Sequence, residues 1–137
     1  MGTRRKAREA AIQILYAMDA TGLDADQAVP LYWSNLGHRA PGSEFADELV
    51  FGYAKQREQV DETIRRTSRH WRLERMARVD RNVIRLATFE LIFREDLPAR
   101  VTLNEAIELA KRFGDEQSPA FVNGVLDRIA AEHGSDV

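Results

Sequence analysis

Apolar residues recur along this chain at intervals of three and four, and no run alternates at period two over the length of a strand, so the pattern predicts helices throughout. Residues 3 to 19 read as a first helix with Ala11, Ile12, Leu15 and Tyr16 on its apolar stripe and Gly22 just past its end. Residues 25 to 36 carry Val29, Tyr32, Trp33 and Leu36 at the same spacing. Pro30 inside that span argues for a later helix start, because proline lacks the N–H that a helix interior uses. Pro41-Gly42-Ser43 reads as a loop, with Ser43 as N-cap of a long third helix that reaches about Ser68 and turns Phe45, Leu49, Tyr53, Val60 and Ile64 inward. A short helical turn from Trp71 to Met76 joins the two halves.

Residues 79 to 94 look like the most buried helix, since Val83, Leu86, Ala87, Phe89, Ile92 and Phe93 cover more than a narrow stripe. Thr102 and Glu105 read as a capping box opening the next helix, and Gly114 as its C-terminal stop. Ser118-Pro119 then offers an N-cap with proline at the first helical position. The last helix runs to about His133 with Phe121, Val122, Val125, Leu126 and Ile129 on one face. Asn123-Gly124 interrupts it oddly. That pair favours hairpin turns, and glycine costs about 1 kcal/mol against alanine in a helix. Two readings stand side by side. Gly124 admits a neighbouring helix closely while Asn123 bonds Asn104 or a carbonyl; or Phe121 stacks on a base while Ser118, Asn123 and the helix N-terminus hold bases or phosphates. The chain is thus expected to be all-α, about seven helices in a single domain spanning residues 1–137.

Composition narrows the function. The 137 residues are 44% hydrophobic and 31% charged, with no apolar run approaching the ~20 residues a bilayer span needs. No apolar segment of a signal peptide follows the basic N-terminus, so a cytoplasmic location is expected. There is no cysteine, which removes disulfides, thiolate nucleophiles and thiolate metal sites. The net charge of -2 conceals segregation. Arg4, Arg5, Lys6 and Arg8 open the chain, and Arg65, Arg66, Arg69, Arg72, Arg75, Arg78, Arg81 and Arg85 are offset within their span only by Glu74 and Asp80. Acids dominate from Asp24 to Glu62. Such separation suits one basic surface for a polyanion and another surface for a protein.

Catalysis has little footing. His38, His70 and His133 lie in different segments, outside any metal or triad motif, and no glycine-rich phosphate loop is present. Glu105 and Glu108 share a helix face, but capping by Glu105 and pairing of Glu108 with Arg112 explain them without a metal. We expect no enzyme, no cofactor and no metal. Arg4, Arg5 and Arg8, at i, i+1 and i+4, are expected on one side of the first helix, opposite Ile12 and Leu15, where guanidinium groups can pair with phosphates or stack on bases. For Arg65 to Arg75, pairing with neighbouring acids is as good a reading as RNA contact, so they are not taken as site residues.

Four ordered blocks resemble the NusB family of transcription antitermination factors. They are Arg4-Arg5-Lys6-Ala7-Arg8-Glu9-Ala10 leading through Gln13 to Leu15-Tyr16; Val79-Asp80-Arg81 through Ile84-Arg85-Leu86-Ala87 to Glu90-Leu91; Pro98, Val101 and Leu103 with Asn104-Glu105-Ala106-Ile107-Glu108-Leu109-Ala110-Lys111 and Phe113; and Phe121-Val122-Asn123-Gly124-Val125-Leu126-Asp127. The resemblance implies two packed three-helix subdomains and binding of single-stranded boxA-like RNA from ribosomal RNA leaders. Binding would occur together with NusE, a small-subunit ribosomal protein, within an RNA polymerase antitermination complex. It implies RNA contacts from Arg4, Arg5, Lys6, Arg8, Lys111, Ser118, Phe121 and Asn123, and a NusE side at Tyr16, Asp80, Arg81 and Arg85. Ala120 stands where the family often has lysine, removing one phosphate contact. Two other classes fit parts of the pattern: a protein-only helical module or homodimer, and the N-terminal module of an RNA cytosine methyltransferase, against which stands the lack of a cofactor-binding segment up to Val137.

Overall fold

The computed structural model describes residues 2–133 as seven α-helices and one 3-10 turn, with no strand among them. The helices are α1 (Gly2–Thr21), α2 (Ala25–Leu36), α3 (Ser43–Lys55), α4 (Arg57–Thr67), α5 (Arg78–Phe93), α6 (Ala99–Phe113) and α7 (Ser118–Glu132), and the 3-10 turn is Leu73–Arg75. Helices α1, α2 and α3 pack on one another, as do α5, α6 and α7, and α4 lies against α3, α5 and α7. α5 is central. It touches α1, α3, α4, α6 and α7, and one continuous apolar core runs through all seven helices.

Several boundaries differ from the sequence reading for local reasons. α2 begins at Ala25 despite Pro30, because Asp24 accepts from the Gln27 amide (2.9 Å) and Gln27 returns its side-chain oxygen to the Asp24 amide (3.1 Å). That reciprocal cap anchors the first turn ahead of the proline. Ser43 is the first residue of α3 and not its cap; Gly42 takes that place at φ 88°, where a side chain would run into the Thr3 carbonyl of α1. The long third helix is two helices. At Gln56 (φ -106°, ψ 17°) the amide is shared between the Gly52 and Tyr53 carbonyls, and the chain turns from packing on α1 and α5 to packing on α5 and α7. No residue of Lys55-Gln56-Arg57 signals this. Gly52 has a packing role, since the Phe89 ring of α5 fills the space a Cβ would need.

Thr102 and Glu105 do not form a capping box, because α6 begins one turn earlier, after Pro98. The Thr102 hydroxyl instead donates to Glu90 (2.8 Å), whose carboxylate also receives two hydrogen bonds from Arg8 (2.8 and 3.0 Å). Arg8 and Glu90 are only 3% and 1% exposed. Arg8 therefore does not lie opposite Ile12 and Leu15. Positions 8, 12 and 15 are i, i+4 and i+7 of one face, and all three are buried.

Removing one member of a buried, hydrogen-bonded ion pair strands the other charge, at a cost of about 3–5 kcal/mol. Arg8→Ala and Glu90→Ala should each lower the unfolding free energy by that order in urea titrations, whereas Arg4→Ala should cost less than about 1 kcal/mol. A loss below about 1 kcal/mol at Arg8 would contradict its structural role.

Candidate nucleic-acid interface

Two of the four cations that open α1, Arg5 and Arg8, are paired with carboxylates of other helices. Arg5 pairs bidentately with Glu105 (2.8 and 3.0 Å), which raises the guanidinium and holds the Glu105 carboxyl below the usual carboxylate range. Arg8 belongs to Glu90. Glu9 faces Arg112 (3.4 Å), and Lys111 reaches Glu108 (3.4 Å) in place of the anticipated Glu108–Arg112 pair. Arg4 is exposed with its guanidinium 4.5 Å from the centre of the Phe45 ring. Lys6 is exposed and makes no ion pair among the described residues.

A different basic surface emerges from the segment joining α4 to α5. Arg81 organises it from below, donating through Nη1 to the carbonyls of Leu73 (3.2 Å), Glu74 (3.2 Å) and Met76 (3.3 Å) and through Nε to Asp19 of α1 (2.8 Å). The Ser68 hydroxyl contacts the Ile64 (2.7 Å) and Trp71 (3.0 Å) carbonyls and closes the end of α4. So held, Trp71 stands 60% exposed, edge-to-face on Phe121 of α7 with ring centres 5.5 Å apart. Together they line a groove of about 570 Å³ with Arg69, Arg72 and Arg75, and with His70, Asp80, Asp115 and Gln117. Arg69, Arg72 and Arg75 make no ion pair among the described residues, whereas Arg65 is held by Glu74 (2.7 Å). Arg69, Arg72 and Arg75, set aside on sequence, are thus among the cations left open. The available signal was Trp71, an aromatic residue set among arginines.

The other expected residues divide sharply. Phe121 is half-buried on the groove wall. Ser118 is 2% exposed and engaged with Asp115, accepting from its amide (3.0 Å) while the Asp115 carboxylate accepts from the amides of Gln117 (2.8 Å) and Ser118 (3.1 Å). It shapes the turn into α7. Asn123 and Asn104 are both exposed and not bonded to each other, and a Cβ on Gly124 would meet nothing within 4 Å. Close helix approach therefore does not explain Gly124.

Tyr16 is 41% exposed beneath the Arg78 guanidinium, 5.7 Å from its ring centre, so it is a surface residue. Asp80 is 8% exposed and has one carboxylate oxygen without a partner. Arg81 and Arg85 are 11% and 8% exposed, and their guanidinium groups are engaged by partners within the chain. Arg85 binds Asp61 (3.1 and 3.2 Å) and Asn82 (3.3 Å), and Asp61 also accepts from the Tyr53 hydroxyl (3.0 Å). Burial, then the Asp61 charge, push the Tyr53 phenol up and keep it a neutral donor. Burial pushes the Asp19 carboxyl up too, but hydrogen bonds from Asn82 and Arg81 and the charges of Arg81 and Arg85 outweigh it and hold the group below its ordinary range.

Residues 5–131 match the model of the NusB family. Similar proteins include the transcription antitermination protein NusB of Sorangium cellulosum, 53% identical over 134 residues covering 98% of this chain and 96% of the relative. That of Geobacter sulfurreducens is 48% identical, covering 96% of each. Among solved structures, T. maritima NusB superposes with a TM-score of 0.84 at 40% identity, covering 94% of this chain and 91% of that one. A chain of the complex of antitermination factors NusB and NusE with dsRNA gives 0.85 at 28% identity, covering 96% and 98%.

Because the folded-state value of Asp19 lies below the ordinary unfolded value of about 3.9, its contribution to stability is complete above about pH 5 and is lost as pH falls through the folded value. Asp19→Asn should lower stability at neutral pH and give a shallower decline below about pH 4 than the wild type. Parallel acid-unfolding curves for the two proteins would refute this.

Proposed function

The chain belongs to the NusB family, and on that premise we propose that it acts in transcription antitermination by holding boxA-like single-stranded RNA from ribosomal RNA leaders against the Trp71–Phe121 groove. NusE occupies the adjoining surface, and the assembly joins RNA polymerase. The role is binding, with no bond made or broken. It belongs in the cytoplasm, where transcripts emerge; among the described residues no helix is long and apolar enough to cross a membrane.

One observation supports the groove above the other surfaces: its guanidinium groups are unpaired and flank two aromatic rings, whereas those of α1 are mostly held by carboxylates. Unpaired arginines exchange counterions for phosphates without first breaking an internal pair, and aromatic rings stack on any unstacked base. The RNA continues from the groove over the end of α6, where Lys111 is half-exposed and Arg112 reaches α1, towards Arg5, Lys6 and Arg4. These α1 residues add outlying phosphate contacts, and Arg8 adds none. NusE is seated on exposed Tyr16 and the rim of Asp80, so that protein and RNA share one border.

Fluorescence anisotropy with a boxA-like RNA and a scrambled RNA at matched salt tests the reading. Preference for the boxA-like RNA should sharpen when NusE is added. Trp71→Ala should weaken binding roughly tenfold, and Arg72→Ala with Arg75→Ala should lower the slope of log K against log salt by roughly 0.7 for each phosphate that is no longer neutralised. Equal binding of both RNAs, with and without NusE, would sink the proposal.

A further inference from the structure

Gly124 carries a conformational penalty that packing does not explain. Glycine is, after proline, the least favourable residue for a helix interior, yet Gly124 lies in mid-α7, exposed, with open space where its Cβ would be. Alanine would fit there and favour the helix. What lies over Gly124 is a second, smaller groove of about 210 Å³, lined by Ala120 and Gly124 together with His70, Trp71, Phe121 and Arg128. Ala120 and Gly124 stand at i and i+4, so the two smallest side chains leave one strip of helix surface bare. Trp71 and Phe121 line both grooves and form the ridge between them. Arg128 makes no ion pair among the described residues.

We propose that this strip is a second nucleotide subsite, where a base or ribose of the RNA lies flat on the bare helix between Ala120 and Gly124, against Trp71, with its phosphate held by Arg128. The inference rests on the reading that the first groove binds RNA. The volume is below the roughly 300–1,000 Å³ of self-contained ligand pockets, which fits an extension of the first groove. Its occupant is fixed by charge and shape: arginines around an aromatic ridge match a polyanion with flat bases, and a strip without side chains admits a ring to van der Waals contact. Amide and carbonyl groups in mid-helix are already bonded to one another, so the floor reads no base identity. The subsite adds affinity and length to the bound RNA and no sequence preference.

Gly124→Gln and Gly124→Ala test this, because a purely structural role and a ligand role predict opposite signs. Both variants should melt at or above the wild-type temperature in circular dichroism. Gly124→Gln should bind an RNA spanning both grooves roughly tenfold more weakly, with Gly124→Ala in between, and should bind a shortened RNA that fills only the first groove as the wild type does. Trp71→Ala should weaken both RNAs. Unchanged affinity of Gly124→Gln for the longer RNA, with Trp71→Ala impaired, would overturn the subsite and leave the RNA groove standing. Loss of NusE binding alone in Gly124→Gln would make the strip a protein seat and overturn it equally. Indifference of both RNAs to Trp71→Ala would instead overturn the groove itself.

Discussion

A guanidinium and a carboxylate that have both left water, Arg8 and Glu90, fix how the first three helices sit on the last three. Such a pair compensates its desolvation only if the geometry is good and the remaining lone pairs are met. Here both conditions hold: the fork is bidentate, and Thr102 brings α6 to the same carboxylate. Helix α1 meets the consecutive helices α5 and α6 on one buried group, and slippage of any of them would strand a charge. The apolar core supplies the bulk of the stability, and this triad supplies the register.

A second polar network does for the site what the first does for the frame. Arg81 is partly buried and serves the chain's own backbone, tying the carbonyls before α5 to one another and, through Asp19, to α1. The segment from Ser68 to Ala77 has little regular structure of its own. Arg81 gives it a shape, and that shape stands Trp71 upright against Phe121 and spreads Arg69, Arg72 and Arg75 along the groove. Inward-facing arginines thus position the outward-facing ones.

The α1 cluster and the Arg69–Arg75 run illustrate why counting charges locates a site poorly. In sequence the first is the denser and the second is hemmed by Glu74 and Asp80. In space Glu105 and Glu90 hold Arg5 and Arg8 of α1, while Glu74 turns to Arg65 and leaves Arg69, Arg72 and Arg75 without an ion pair among the described residues. The field a polyanion meets is set by the cations that remain unpaired, and pairing between residues 82 or 100 positions apart has no local signature.

Local rules settled much of this protein in advance. Helical periodicity marked all the helical stretches though not the division of α3 from α4, because burial of one face at a spacing of 3.6 writes itself into the sequence, and the ordered NusB-like blocks carried family and function. Phe121 could be singled out from its place in its block, but its pairing with Trp71 on one groove wall appears only in the folded chain. What tertiary structure alone decided was which polar residues were already taken: Arg8 by Glu90, Arg85 by Asp61, Ser118 by Asp115, and the break at Gln56 where the chain changes neighbours. Apolar periodicity is a property of one helix and can be read from it. The fate of a charged or hydrogen-bonding group depends on a partner supplied by another helix, and only the packed chain brings the two together.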